Sequence, residues 1–347
     1  MMRLLFFGIL MQWTSSFCQS YSLSSFIAYR DSLKLTGRDS AAVLLDQALD
    51  LMKKNYYEKD QVGWDSLVML AKRKLAEAST CRDSYAILSD CFKEMKSDHS
   101  FIMPAVNTAI YNNDTASLDR KPGLRQWMGD IQCSLPENDI AYLSVPWVGT
   151  TDPAICTKIA DSLQKMIETL DRAGISKWIV DLRNNTGGNC WPMICGIGPL
   201  IGVDTCGYFV LPTTRTAIRY SRGRAMKGEN TVCILSRKGY QTKIAKKNIA
   251  VLIGPRTSSS GEIIALAFKG GSNTLLFGEP TAGLTTANMT YPLLDKSMLV
   301  LSVCGEADRN GLIFEGKILP DESVLTRPSY STDDPVLNAA KMWLQIF

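Results

Sequence analysis

Apolar residues recur three and four positions apart over residues 39–52, the spacing of a single helix face. Residues 64–76 and 84–95 repeat the pattern, and the latter places Tyr85, Leu88, Phe92 and Met95 on one side. This periodicity predicts a small helical N-terminal domain over residues 19–100. From 101 to 137 it lapses. Asn112-Asn113-Asp114 and Lys121-Pro122-Gly123 are turn chemistry, so this stretch reads as a linker or irregular strands. Beyond residue 138 the period changes. Short apolar runs at 140–145, 178–182, 249–253, 274–278 and 298–303 predict strands, and amphipathic stretches at about 153–173 and 260–269 predict helices between them. Alternation on this scale predicts an α/β fold with parallel strands over 138–347.

The first twenty residues follow another rule. Met1-Met2-Arg3 is a short basic start, residues 4–13 are apolar apart from Gln12, and small residues lead to Cys18. A run too short to span a bilayer, with these flanks, predicts a signal peptide over 1–18, cleaved near Cys18. The expected location is therefore secreted or periplasmic. Lipidation of Cys18 is a minor alternative, because Phe17 is a poor neighbour for that processing. Composition adds exclusions. A hydrophobic fraction of 46% with 21% charged residues permits a sizeable core, and the net charge of +4 is dispersed. No basic block points to nucleic acid, and no later segment points to membrane insertion. Nine cysteines would follow the signal, an odd number whose pairing sequence does not reveal. With one histidine in the chain, no zinc-ligand pattern is present and no metal or cofactor is expected.

Candidate chemistry sits at two strand ends. In the first, the run 251–253 leads through Gly254-Pro255 into Thr257-Ser258-Ser259-Ser260-Gly261-Glu262. Ser259-x-x-Glu262 is a capping box, which needs no catalytic role. The same geometry sets a hydroxyl beside unpaired amides at a helix start, where an oxyanion could be held. In the second, Asp181-Leu182-Arg183-Asn184-Asn185-Thr186-Gly187-Gly188 brings bare amides to a strand's carboxyl edge. Gly187 and Gly188 are candidate oxyanion donors. A serine nucleophile that needs an imidazole base has only His99 to use.

Together these segments resemble the tail-specific (C-terminal-processing) and tricorn-core peptidase family. The likeness runs from Trp64 through Asp98-His99-Ser100, the Asp181–Gly188 motif, Thr257-x-Ser259-x-x-Glu262 and Gly278-Glu279-Pro280-Thr281-x-Gly283, to Pro320-Asp321 and Asp333-Asp334-Pro335. It implies a crotonase-like core of stacked β-β-α units. It selects Ser259, three residues before the glutamate, as nucleophile, with the Ser260 amide and Gly187 or Gly188 forming the oxyanion hole. In the family's Ser-Lys branch a lysine follows the last glycine of the Gly-Glu-Pro-Thr-x-Gly motif. Here that residue is Leu284, which cannot take a proton. The resemblance therefore favours the tricorn-like arrangement, with His99 as base and a C-terminal glutamate to orient it. Glu315 is the best match and Glu306 the reserve. Two departures stand out: Asp98 precedes the histidine where the pattern has a small residue, and residues 101–137 leave no room for the usual PDZ domain.

The expected function is an exported serine endopeptidase acting on peptides or unfolded proteins through a Ser-His-Glu acyl-enzyme mechanism. A non-catalytic ligand- or peptide-binding protein on the same scaffold is the alternative. A Ser-Lys peptidase using an unrecognised lysine is a more distant one.

Overall fold

The computed structural model describes residues 37–112, 127–135, 139–325 and 334–347. The expected signal peptide and much of the 101–137 segment lie outside these described residues.

Three helices open the described chain: Gly37–Asn55, Trp64–Leu75 and Cys81–Glu94. The first buries Ala41, Leu44, Leu45, Ala48, Leu49 and Met52, the stripe that its periodicity predicts. The third starts on a capping box formed by Thr80 and Asp83. Their shared apolar face closes on Leu293, Leu294, Leu299 and Leu301. The helices are thereby cemented to one sheet of the following core.

That core has two sheets. In the first, β3 (Ile140–Ser144), β4 (Lys177–Asp181), β9 (Asn248–Ile253) and β10 (Thr274–Gly278) run parallel in the order β10-β9-β4-β3, with β14 (Glu322–Ser323) and β2 (Cys133–Ser134) at the edges. Both faces are covered, so side chains alternate between two cores rather than between core and water. Ile249, Val251 and Ile253 of β9 face the helices Pro153–Leu170, Cys190–Ile201 and Ser260–Phe268; Ala250 and Leu252 face the closing helix Pro335–Gln345. All six β9 residues are buried. Each large aliphatic among them contributes about 1.5–3 kcal/mol of burial.

The second sheet is antiparallel and centres on β12 (Met298–Ala307), which pairs with β1 (Phe101–Met103), β5 (Asp204–Val210), β11 (Thr286–Pro292) and β13 (Ile313–Phe314). From β5 a meander continues through β6 (Arg215–Ser221), β7 (Arg224–Lys227) and β8 (Asn230–Ile234). The 298–303 run, expected among the parallel strands, belongs here instead. Burial on both faces gives β12 the unbroken apolar look of a parallel strand. The helix Cys190–Ile201 was also not anticipated: it is buried along nearly its whole length and contains Pro199, so it shows no amphipathic stripe.

Candidate active site

Asp181 at the end of β4 pairs with Leu252 near the end of β9, so the segments leaving both strands emerge side by side. After β9, a turn is tied down by the Thr257 hydroxyl, which donates to the Leu182 carbonyl (2.9 Å) and accepts from the Gly254 amide (3.1 Å). The chain then reverses at Ser259, whose φ of 53° and ψ of −121° are unusual for a residue with a Cβ. This is a strained strand-to-helix elbow that pushes the hydroxyl outward. Ser259 and Glu262 also form the capping box that the sequence suggests.

Glu262 is fully buried and does more than cap. Its Oε2 accepts the amides of Ser259 and Leu284 (both 2.8 Å), while its Oε1 accepts the Gly283 amide (2.9 Å) and the Thr281 hydroxyl. One carboxyl thus pins the elbow to the 281–284 loop. Burial raises its pKa, and these hydrogen bonds work in the opposite direction.

The loop after β4 lies against the elbow. A Cβ on Gly187 (φ +97°) would sit 2.8 Å from the Ser259 Cβ, and one on Gly188 (φ +98°) would sit 2.0 Å from the Val148 oxygen. Only glycine permits that approach. The two glycine amides differ. Gly187 donates to the Asn185 side-chain oxygen (3.0 Å), whereas the Gly188 and Ser260 amides donate no hydrogen bond among the described residues. The loop is anchored by Arg183, which pairs with Asp181 (2.6 Å) and with Asp334 (2.8 Å) at the start of the closing helix.

His99 arrives from the other sheet, two residues before β1. Its Nε2 lies 2.9 Å from Ser259 Oγ. Burial depresses the imidazole pKa to about 4, with hydrogen bonding to the Thr286 main chain opposing the shift. The ring is therefore neutral at neutral pH.

Among the described residues, no carboxylate hydrogen-bonds the His99 ring. The ring's Nδ1 bonds Thr286 Oγ1 at 2.9 Å. Glu315 is exposed just past β13, and its charge adds to burial in raising the Tyr57 pKa. Glu306 is buried on β12, and neither carboxyl oxygen is hydrogen-bonded among the described residues; burial, and then the charge of Glu262, raise its pKa well above the ordinary range. Asp98 is exposed. Thr286 and its partners Ser302 and Asn288 had no motif to announce them, although Thr286 lies two residues beyond the Leu284 position where a lysine was sought. Leu284 contributes its main chain only, to Glu262. Among the described residues, no group of three or more His, Cys, Asp or Glu is placed to hold a metal ion. Nine cysteines, Cys81 to Cys304, are free thiols, and seven are buried.

Residues 139–324, which include the elbow, the glycine loop and the Thr281–Gly283 segment, match the peptidase family S41. The chain belongs to peptidase family S41. It is 32% identical over 187 residues to a nisin-resistance protein of Lactococcus lactis subsp. lactis, covering 53% of this chain. The chain spans 56% of that relative's length. Two solved structures share the fold. A lipoprotein from Streptococcus agalactiae superposes with a TM-score of 0.68 at 23% identity, over 88% of this chain and 96% of that one. The photosystem II D1 C-terminal processing protease gives 0.51 at 14% identity, over 82% and 93%. The mixed α/β fold of this chain, with its two sheets, is thus similar to that of these structures, and family membership supports a serine-peptidase role. No helix among the described residues is long and apolar enough to cross a membrane.

Proposed function

We propose that this S41 protein is an exported serine endopeptidase acting on peptides or unfolded proteins, with Ser259 as nucleophile and His99 as general base. One observation carries the reading: the chain's only histidine lies 2.9 Å from a hydroxyl held on a strained elbow. Ser259 Oγ attacks the substrate carbonyl carbon as its proton passes to His99 Nε2. The oxyanion is received by the Ser260 and Gly188 amides, which no acceptor among the described residues occupies. Gly187, considered with Gly188 for this role, has its amide engaged by Asn185. Collapse of the tetrahedral intermediate gives the His99 proton to the departing amine. Water, deprotonated by the same ring, then cleaves the acyl-enzyme and leaves a new carboxyl terminus. The same proposal includes the finer view of the core as crotonase-like stacked β-β-α units. It also includes a place outside the cell or in its envelope, consistent with a signal-like start and with the names of the nisin-resistance and lipoprotein neighbours.

Cleavage of an unstructured protein by wild type and Ser259→Ala provides the test. Equal cleavage by both excludes Ser259 as nucleophile. Absence of cleavage by both favours a binding role on the same scaffold.

A further inference from the structure

A triad carboxylate has two separable duties: it keeps the proton on Nδ1 so that Nε2 faces the nucleophile as a base, and it stabilises the imidazolium that forms. We infer that Thr286, Ser302 and Asn288 are positioning residues that perform the first duty without the second, through hydrogen bonds that can run in only one direction. The inference rests on the reading of His99 as the base for Ser259.

Hydrogen positions follow from counting donors and acceptors. Asn288 Nδ2 lies 2.9 Å from the main-chain oxygen of His99. A carbonyl only accepts, so the amide group faces it and Asn288 Oδ1 points the other way. That oxygen lies 3.0 Å from Ser302 Oγ and must receive the Ser302 proton. Ser302 Oγ then has only acceptor capacity left, and Thr286 Oγ1 donates to it at 3.2 Å. With its one proton committed, Thr286 Oγ1 can only accept from His99 Nδ1, 2.9 Å away. The proton of the neutral ring is therefore on Nδ1, and Nε2 presents its lone pair to the Ser259 hydroxyl.

Neighbouring serines close the alternatives. Ser100 Oγ accepts from Ser97 Oγ (2.7 Å) and from the Ser302 amide (3.1 Å), so its own proton goes to Ser302 Oγ (3.4 Å). Ser302 thus accepts twice and donates once, which exhausts a hydroxyl. Ser97, Ser100 and Ser302 are buried, so water does not compete at these three hydroxyls, while Thr286 and Asn288 are half-buried. Strand register builds the arrangement: Ser302 pairs with Asn288 across β11–β12, and Val300, two residues away, pairs with Phe101 just after Ser100. Because the chain ends on a neutral amide, it orders the ring without offering negative charge to an imidazolium.

A single histidine makes the test direct. Ring-¹⁵N histidine incorporated into the full chain gives one imidazole, and its couplings to the two ring C–H protons tell Nδ1 from Nε2. At pH 7 the expected result is one tautomer, protonated at Nδ1. In Thr286→Val the Nε2-protonated form should appear and kcat/KM should fall about 100-fold, while Thr286→Ser restores both. Thr286→Asp should shift the acidic limb of kcat/KM to higher pH. Ser302→Ala provides a second variant should Thr286→Val fail to fold. A wild-type ring protonated at Nε2 overturns the inference, as does a folded Thr286→Val enzyme with unchanged tautomer and kcat/KM. Since the spectrum is read without substrate, failure of the peptidase reading shows instead as a correct tautomer in a protein that cleaves nothing.

Discussion

The two sides of the Ser259–His99 pair are held by opposite chemistry. Behind Ser259 the structure commits one fully buried carboxyl, Glu262, to three amides and a hydroxyl, with a second buried carboxyl, Glu306, beyond it. Behind His99, among the described residues, stand hydroxyls, a side-chain amide and the Thr286 main chain, all neutral. Glu262 thus secures the backbone of the nucleophile, where every partner brings a hydrogen. Among the described residues no carboxylate bonds the imidazole, where a charge would change the strength of the base. A negative neighbour would raise the imidazole pKa; burial among neutral groups lowers it to about 4. Fixing a ring and charging it are different tasks, and this site separates them.

The contrast fails most visibly if the pair itself is idle. Ser259→Ala and His99→Ala should each lower kcat/KM for an unstructured protein by about 10⁴-fold, by analogy with other triads. If His99→Ala keeps full activity, a lysine base must be sought instead. On the acidic side, Glu262→Gln turns an amide N–H toward groups that themselves donate. It should cost about 1–3 kcal/mol in denaturant melts. Unchanged stability would mean that the carboxyl is not what holds the elbow.

The neutral side predicts a pH profile. With the imidazole held near 4, the acidic limb of kcat/KM should lie close to pH 4, well below the ordinary histidine value of 6.5. A limb at 6.5 or above would reveal negative charge at the ring. Glu306→Gln sharpens the acidic side through stability. The native state keeps the Glu306 proton above pH 4.5, where the unfolded carboxyl loses it, so this residue weakens the fold as pH rises. The glutamine variant should therefore melt higher than wild type at pH 8, with the difference shrinking toward pH 4.5. A lower melting temperature at pH 8 would mean that the ionised form is stabilised by some contact. The smallest effect belongs to Glu315→Gln, which should alter kcat/KM by less than about threefold, since exposed charges are well screened and this one makes no hydrogen bond to the ring.

Local patterns made the elbow and the glycine loop legible in the sequence, because each is a strand end followed by turn residues within ten positions. Being the chain's only histidine singled out His99 with no geometry at all. Choosing Ser259 over Ser258 and Ser260 required the family resemblance, and the structure adds the positive φ that distinguishes it. The surroundings of His99 were illegible for a physical reason. Thr286 is 187 positions away, and a strand threonine reads as β-propensity until register places it opposite a ring. Likeness to a glutamate-using branch drew attention to Glu315, whereas contacts across β11 and β12 decide what meets Nδ1. The same limit hid the antiparallel sheet: an apolar run shows that β12 is buried but not which way its neighbours run.

Treating the purified protein with a fluorophosphonate and mapping the adduct by mass spectrometry tests the Ser259–His99 pair most directly. A single adduct on Ser259 is expected, formed rapidly at pH 7, still substantial near pH 5, and nearly abolished in His99→Ala. No adduct, an adduct on Ser258 or Ser260, or labelling of Ser259 that is indifferent to His99 would contradict that pairing.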